Sequence, residues 1–143
     1  MKKMKEKVLL YQFEEDRRVA VEKVMRSIQI ETVTLPPESW RQKIGYLLGI
    51  KGFKSIDGDE NETFDFPHEV MLLYHIQGKQ LDRVLKAMRD AGLAPVRYKA
   101  VVTPYNVLWT LRKQCETMQK EHAYMAERDD KGNNENKEER EQN

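Results

Sequence analysis

Two short stretches decide the fold: VLLYQF at residues 8–13 and MLLYHI at residues 71–76. Each is a near-continuous apolar run of strand length, the pattern of a strand covered on both faces. They lie sixty-three residues apart, and the same spacing carries Val21 onto Val84, Met25 onto Met88, Ile30 onto Leu93 and Val33 onto Val96. The chain therefore reads as two similar halves.

Outward from each run the order is strand, helix, strand, helix. Ala20, Val21, Val24, Met25 and Ile28 share one helical face in the first half, and Leu81, Val84, Leu85 and Met88 do so in the second. Gly92 stands where a helix commonly ends in a left-handed residue. The second strands, Ile30 to Leu35 and Val96 to Val102, admit Thr32, Thr34, Arg97 and Lys99, as strands near a sheet edge do. Two tandem β-α-β units with apolar first strands and more polar second strands predict an α+β fold. The expected sheet is ferredoxin-like, with each unit followed by an extra helix. Residues 1–56 form the first half, 57–67 an acidic linker and 68–126 the second half, the two halves making one domain. Residues 127–143 are so polar that a disordered charged tail is expected.

Both closing helices start at proline and carry one tryptophan each. In LPPESWRQKIGYLLG the helix is expected from Pro37 to Leu48, with Trp40, Ile44, Leu47 and Leu48 as its stripe and Gly49 as its stop. In the second half the question is whether Thr103-Pro104-Tyr105-Asn106 is a site or a helix start. A helix start explains it: Thr103 caps, and Pro104 takes the first helical position, where its missing N–H costs nothing. Leu108, Leu111, Cys115, Met118, His122 and Met125 then recur at alternating spacings of three and four, a heptad-like stripe. That stripe fits packing on the sheet or on a second copy of the chain. Tyr105 and Trp109 lie beside it and extend the packed face or offer a partner surface.

Composition limits the function classes. The 143 residues suit one domain, with 39% hydrophobic and 34% charged. Residues 119–143 hold five basic and eight acidic side chains, against twenty and sixteen in the rest. A mildly basic body without a basic cluster is a weak nucleic-acid signal. No apolar run reaches bilayer length, and Glu14, Glu15 and Asp16 follow the short apolar start without a small-residue cleavage site. The expectation is a cytoplasmic protein with no membrane contact. A single cysteine, Cys115, excludes an internal disulfide and a cysteine-cluster zinc site.

Motifs for catalysis, cofactors or metals fall short. Cys115 and His122 are seven residues apart on one helix, about 10 Å along the axis, too far for a nucleophile and its base. His75 follows Tyr74 on a central strand with no evident partner, and His68 lies in the linker. DGDENETFD, residues 57–65, begins like a calcium loop, but Glu62 and His68 occupy the glycine and bidentate-glutamate positions. QGKQ at 77–80 has Gly-Lys without a phosphate loop. KGFKSI at 51–56 partly fits an RNA-recognition strand motif through Lys51, Gly52 and Phe53, with Tyr11 and Tyr74 as the only aromatics to join it.

From MLLYHIQGKQLDRVLKAMRDAGL through KAVVTPYNVLWTLRKQCETMQKEH, about residues 69 to 122, the chain resembles an uncharacterised bacterial domain-of-unknown-function family of small proteins. The residues carrying the resemblance are Lys99, Ala100, Thr103, Pro104, Asn106, Trp109, Thr110 and Leu111. The first half looks like a diverged copy. The resemblance implies a soluble bacterial protein and supplies no catalytic residue, cofactor or substrate. Lys99, Thr103, Asn106 and Trp109 are the candidate ligand- or partner-binding residues, in a groove between the last strand and the last helix, where a helix N-terminus favours an anion. The leading expectation is a non-enzymatic protein-interaction or regulatory module, binding a protein partner or a second copy through the last helix. The alternatives are an RNA-binding module and a small-anion sensor or enzyme at the Lys99 to Trp109 corner.

Overall fold

The computed structural model describes residues 6–123. Met125 and the expected tail at 127–143 lie outside the described residues.

The order along the chain is β1 (Lys7–Tyr11), α1 (Glu15–Ser27), β2 (Glu31–Leu35), a 3-10 turn (Pro37–Arg41) and α2 (Ile44–Leu47). After a long connection come β3 (Val70–Tyr74), α3 (Lys79–Asp90), β4 (Tyr98–Val101) and a second 3-10 turn (Asn106–Leu108). Residues 111–123 form a final helix, α4.

The strands make one mixed sheet in the order β2-β1-β3-β4. The apolar strands are central and the mixed-polarity ones are at the edges. The connectivity departs from the ferredoxin-like expectation. A ferredoxin-like sheet splits each β-α-β unit with a strand of the other. Here β1 pairs directly in parallel with β2, and β3 with β4. The two intact units meet only where β1 runs antiparallel to β3, with Leu9 opposite Leu72. The hydrophobic pattern assigns central and edge positions in either topology, so it cannot choose between them.

Alternation along the strands separates two cores. Val8, Leu10, Met71 and Leu73 face α1 and α3, meeting Val21, Met25, Val84 and Met88. Leu9, Tyr11, Val70 and Leu72 face the other way, onto Trp40, Ile44, Leu111, Cys115 and Met118. The extra helices therefore cover the second sheet face. The apolar stripe of α4 is spent on the chain's own core, so these residues are not a free dimer surface.

Matched positions in the two units share backbone features. Gln12 and His75 both have positive φ, at 64° and 58°. They end the central strands two residues short of the apolar runs that announce them, because a left-handed residue turns the chain out of the ladder. Gln29 and Gly92, with φ of 62° and 76°, stand at the same place after α1 and α3. From the edge strands onward the match slips by four residues: Val33 sits opposite Leu9, but Ala100 sits opposite Leu72. Val96 is thus not the counterpart of Val33.

The connection from α2 to β3 is only partly solvated. Residues 57–63 are exposed, and Asp59 Oδ1 accepts the Asn61 N–H at 3.0 Å in a local turn. Phe66 is buried, however, with Phe64 parallel to it at 5.9 Å and Tyr98 edge-on at 5.1 Å.

Candidate functional site

The two strand-to-helix junctions come together at one end of the sheet. Pro37 opens the first 3-10 turn and Pro104 stands two residues before the second; in each junction the chain then straightens for two residues, and a helix follows. The straight pieces meet: Ile44 N–H donates to the Trp109 carbonyl and Leu111 N–H to the Gln42 carbonyl, both at 2.9 Å. This bridge, Lys43 opposite Thr110, breaks both helices expected to run through the tryptophans. Its partners are sixty-seven residues apart, which aligns Ile44 with Leu111 and places Trp40 and Trp109 at unmatched positions.

Thr103 and Asn106 close the second turn by capping each other. Thr103 Oγ1 accepts the Asn106 N–H at 3.1 Å, and Asn106 Oδ1 accepts the Thr103 N–H at 2.6 Å. Asn106 Nδ2 donates to the Val101 carbonyl at 3.0 Å. This is capping-box geometry applied to a single turn. The residue that caps α4 is Thr110, whose Oγ1 accepts the Lys113 N–H at 3.1 Å. Its signal in the sequence is a threonine three residues before a helical donor, hidden behind the stronger Thr-Pro step.

The four candidate residues do not share a groove. Lys99 is on the α3 face of β4, where its Nζ donates to the Val96 carbonyl at 2.7 Å. Tyr98 and Val102 face the opposite core. Asn106 is buried and committed to its turn. Trp109 is half-buried under Lys113, whose Nζ lies 4.6 Å from the ring centre.

The junction instead presents an apolar recess that sequence reading missed. Leu108, expected in the buried stripe, is 59% exposed, and Tyr105, expected beside the stripe, is 80% exposed. Leu108 joins Phe53 and Ile56 around a recess of about 510 Å³, with Lys43 and Lys54 at its margin. KGFKSI therefore lies in a loop after α2, not on a strand. Phe53 rests on the face of Gly45, which has no side chain to hold it off. Tyr11 is fully buried, and both faces of the sheet are covered, so the strands offer no open platform for stacking bases.

A second cavity, of about 310 Å³, opens where β3 and β4 end, between Val102, Val107, His75 and Gln77. His75 lies ring-to-ring with Tyr74 at 3.9 Å, and its Nε2 is buried with no hydrogen-bond partner. Its matched corner, at the ends of β1 and β2, is lined by Gln12, Glu14, Arg18 and Thr34.

Two buried hydroxyl- and thiol-bearing side chains are chemically quiet. Burial pushes the Cys115 thiol up to about 12, with Glu116 adding to the shift. Burial, and then Cys115 and Glu38, push Tyr11 up to about 12. A thiol held protonated is a core group, not a nucleophile. Among the described residues no helix is long and apolar enough to cross a membrane.

Residues 69–125 match the model of a family described as Domain of unknown function (DUF3783), which covers β3 through α4 and less than half of the chain. No curated protein and no solved structure matches the chain.

Proposed function

We propose that this chain is a protein-interaction module that docks an apolar, acid-flanked segment of a partner protein in the recess between residues 51–56 and the Asn106–Leu108 turn. One observation carries this reading: Leu108 stands 59% exposed beside Phe53 and Ile56. Apolar side chains gathered at the surface around a recess mark an interaction site, and Phe53 supplies the aromatic wall beside Leu108. Lys43 and Lys54 at the margin favour an acidic flank on the partner and speed the encounter.

The wider setting belongs to the same proposal: a bacterial, cytoplasmic protein whose two halves arose from an internal repeat. The unpaired, buried Cys115 suits a reducing compartment. The paired φ values at Gln12 and His75 support the repeat.

A photo-crosslinking residue at position 55, placed in the full chain in its host cells, tests the reading. One protein should be captured, and Leu108→Glu should abolish the capture while the circular dichroism spectrum stays unchanged. Crosslinks to RNA, or capture indifferent to Leu108→Glu, would overturn it. Capture of the chain by itself would redirect the proposal to a homodimer, which sedimentation then measures.

A further inference from the structure

We infer that the free edge of β2 pairs with β2 of a second copy of this chain, antiparallel across a two-fold axis, so that two four-stranded sheets become one. The surface is separate from the Leu108 recess and from the apolar stripe of α4. The two edges of the sheet, β2 and β4, differ in how they are finished. A strand edge presents unpaired N–H and C=O groups, and proteins commonly blunt it with lysine, proline or a covering side chain. β4 carries all three devices. Lys99 lies within it, Pro95 and Pro104 flank it, and Asn106 Nδ2 takes the Val101 carbonyl at 3.0 Å.

β2 carries none of them. Its five residues, Glu-Thr-Val-Thr-Leu, include three β-branched side chains and neither lysine nor proline. Among the described residues, its backbone makes no hydrogen bond beyond the ladder with β1. α1 flanks the edge without closing it. Thr34 Oγ1 donates to Glu22 Oε1 at 3.1 Å, yet Thr34 and Glu31 stay exposed. Alternate residues of β2 therefore turn unpaired backbone groups outward.

The partner that fits is the same strand turned end for end. With the axis at Val33, valine faces valine, Thr32 faces Thr34 of the second copy, and Glu31 faces its Leu35. Paired β-branched side chains favour the contact, and no like charges stand opposite each other. A parallel pairing would instead set Glu31 beside Glu31. The flank of α1 on the β2 side repeats the preference. Glu15, Arg18, Glu22 and Arg26 recur at helical spacing and alternate in sign, with an acid at one end and a base at the other. An end-for-end copy sets the acidic end toward the basic end. The finish of β4 stops growth there. A copy that offered β4 to β2 would start an open filament, whereas β2 on β2 closes at two.

Sedimentation of the whole chain tests the inference. The wild type should form a dimer with a micromolar Kd. Val33→Lys sets two cations face to face at the axis and should leave a monomer, and Val33→Glu should do the same with two anions. Val33 is only partly buried, so either long side chain can reach solvent along the edge. Mixed in equal amounts, the two variants should restore a dimer, because opposite charges then face each other. Leu108→Glu, at the separate recess, should stay dimeric. Hydrogen exchange on the wild type needs no variant: amides within residues 31–35 should exchange more slowly as concentration rises. The inference fails if the wild type is a monomer at about 100 µM, if Val33→Lys stays dimeric, or if the mixture of folded variants stays monomeric. It fails equally if Leu108→Glu dissociates the dimer, if larger assemblies form, or if exchange in β2 ignores concentration.

Discussion

Gln12 and His75 end the two central strands with the same left-handed backbone, but only Gln12 anchors its side chain, donating to the Phe66 carbonyl at 2.7 Å. The backbone conformation is thus a demand of the topology, and the side chain is free to differ. Replacing each residue by glycine relieves the same φ penalty and adds the same chain entropy. The difference between the two variants sets the loss of the Gln12 bond against the loss of the His75 ring's contact with Tyr74. Gln12→Gly should be the less stable by about 1 kcal/mol. Urea midpoints with unchanged slopes measure it, and equal stabilities would refute the anchoring role.

Asn106 distinguishes a structural turn from a binding groove. It satisfies the Thr103 N–H and the Val101 carbonyl while buried. Asn106→Ala orphans both groups, and about 2 kcal/mol of stability should be lost. Thr103→Ala removes only a cap and should cost about 1 kcal/mol. A pair of variants with wild-type melting temperatures would return Asn106 to the list of ligand-binding candidates.

These junction residues mark where sequence reading stops. The two apolar runs, the helix faces of Val21, Met25, Val84 and Met88, and the cap at Gly92 all follow from local periodicity, which is a short-range property. The strand order does not, because pairing β1 with β2 or with β4 buries the same side chains. The Lys43 to Thr110 bridge was equally invisible. It joins segments far apart in sequence, and it divides an amphipathic stretch that local spacing reads as one helix. Local spacing puts Leu108 in the buried stripe for that reason, and it is exposed because the stripe begins only at Leu111. Nearness in sequence to Thr103 suggests a shared groove for Lys99, yet strand alternation sends it to the opposite face of the sheet.

Alkaline pH should unfold the protein through two groups that share one core. Tyr11 rises from 10.0 to about 12, and Cys115 from 9.0 to about 12, chiefly through burial. Both are neutral when protonated, so raised values mean that the folded state holds its protons where the unfolded chain releases them. Stability is fully present below about pH 9 and declines through pH 12, by up to about 1.4 kcal/mol per pH unit for each group. Tyr11→Phe or Cys115→Ala should flatten the decline. Denaturant midpoints from pH 8 to 11 provide the test, and a profile that keeps its wild-type slope in both variants would show that other groups govern it.

Gly45 lies against Phe53, which lines the Leu108 recess. A Cβ at this position meets the Phe53 ring edge, while a Cβ at Gly58 meets the Arg41 side chain from Cδ to Cζ. Arg41 must give up its bond to the Asp59 carbonyl or shift over the Trp40 ring, so Gly58→Ala should cost about 1 kcal/mol. Phe53 is half-buried and bounded by its own loop, so Gly45→Ala must push the ring outward or strain α2 beneath it. The expected cost is about 1–3 kcal/mol. Displacing the ring also removes one wall of the recess, so partner capture through position 55 should fall in Gly45→Ala and persist in Gly58→Ala. Hydrogen exchange across residues 44–56 separates the two effects: faster exchange confined to this segment, with the rest of the sheet unchanged, is the expected result. Wild-type exchange and wild-type capture in Gly45→Ala would show that Phe53 does not shape the surface that binds.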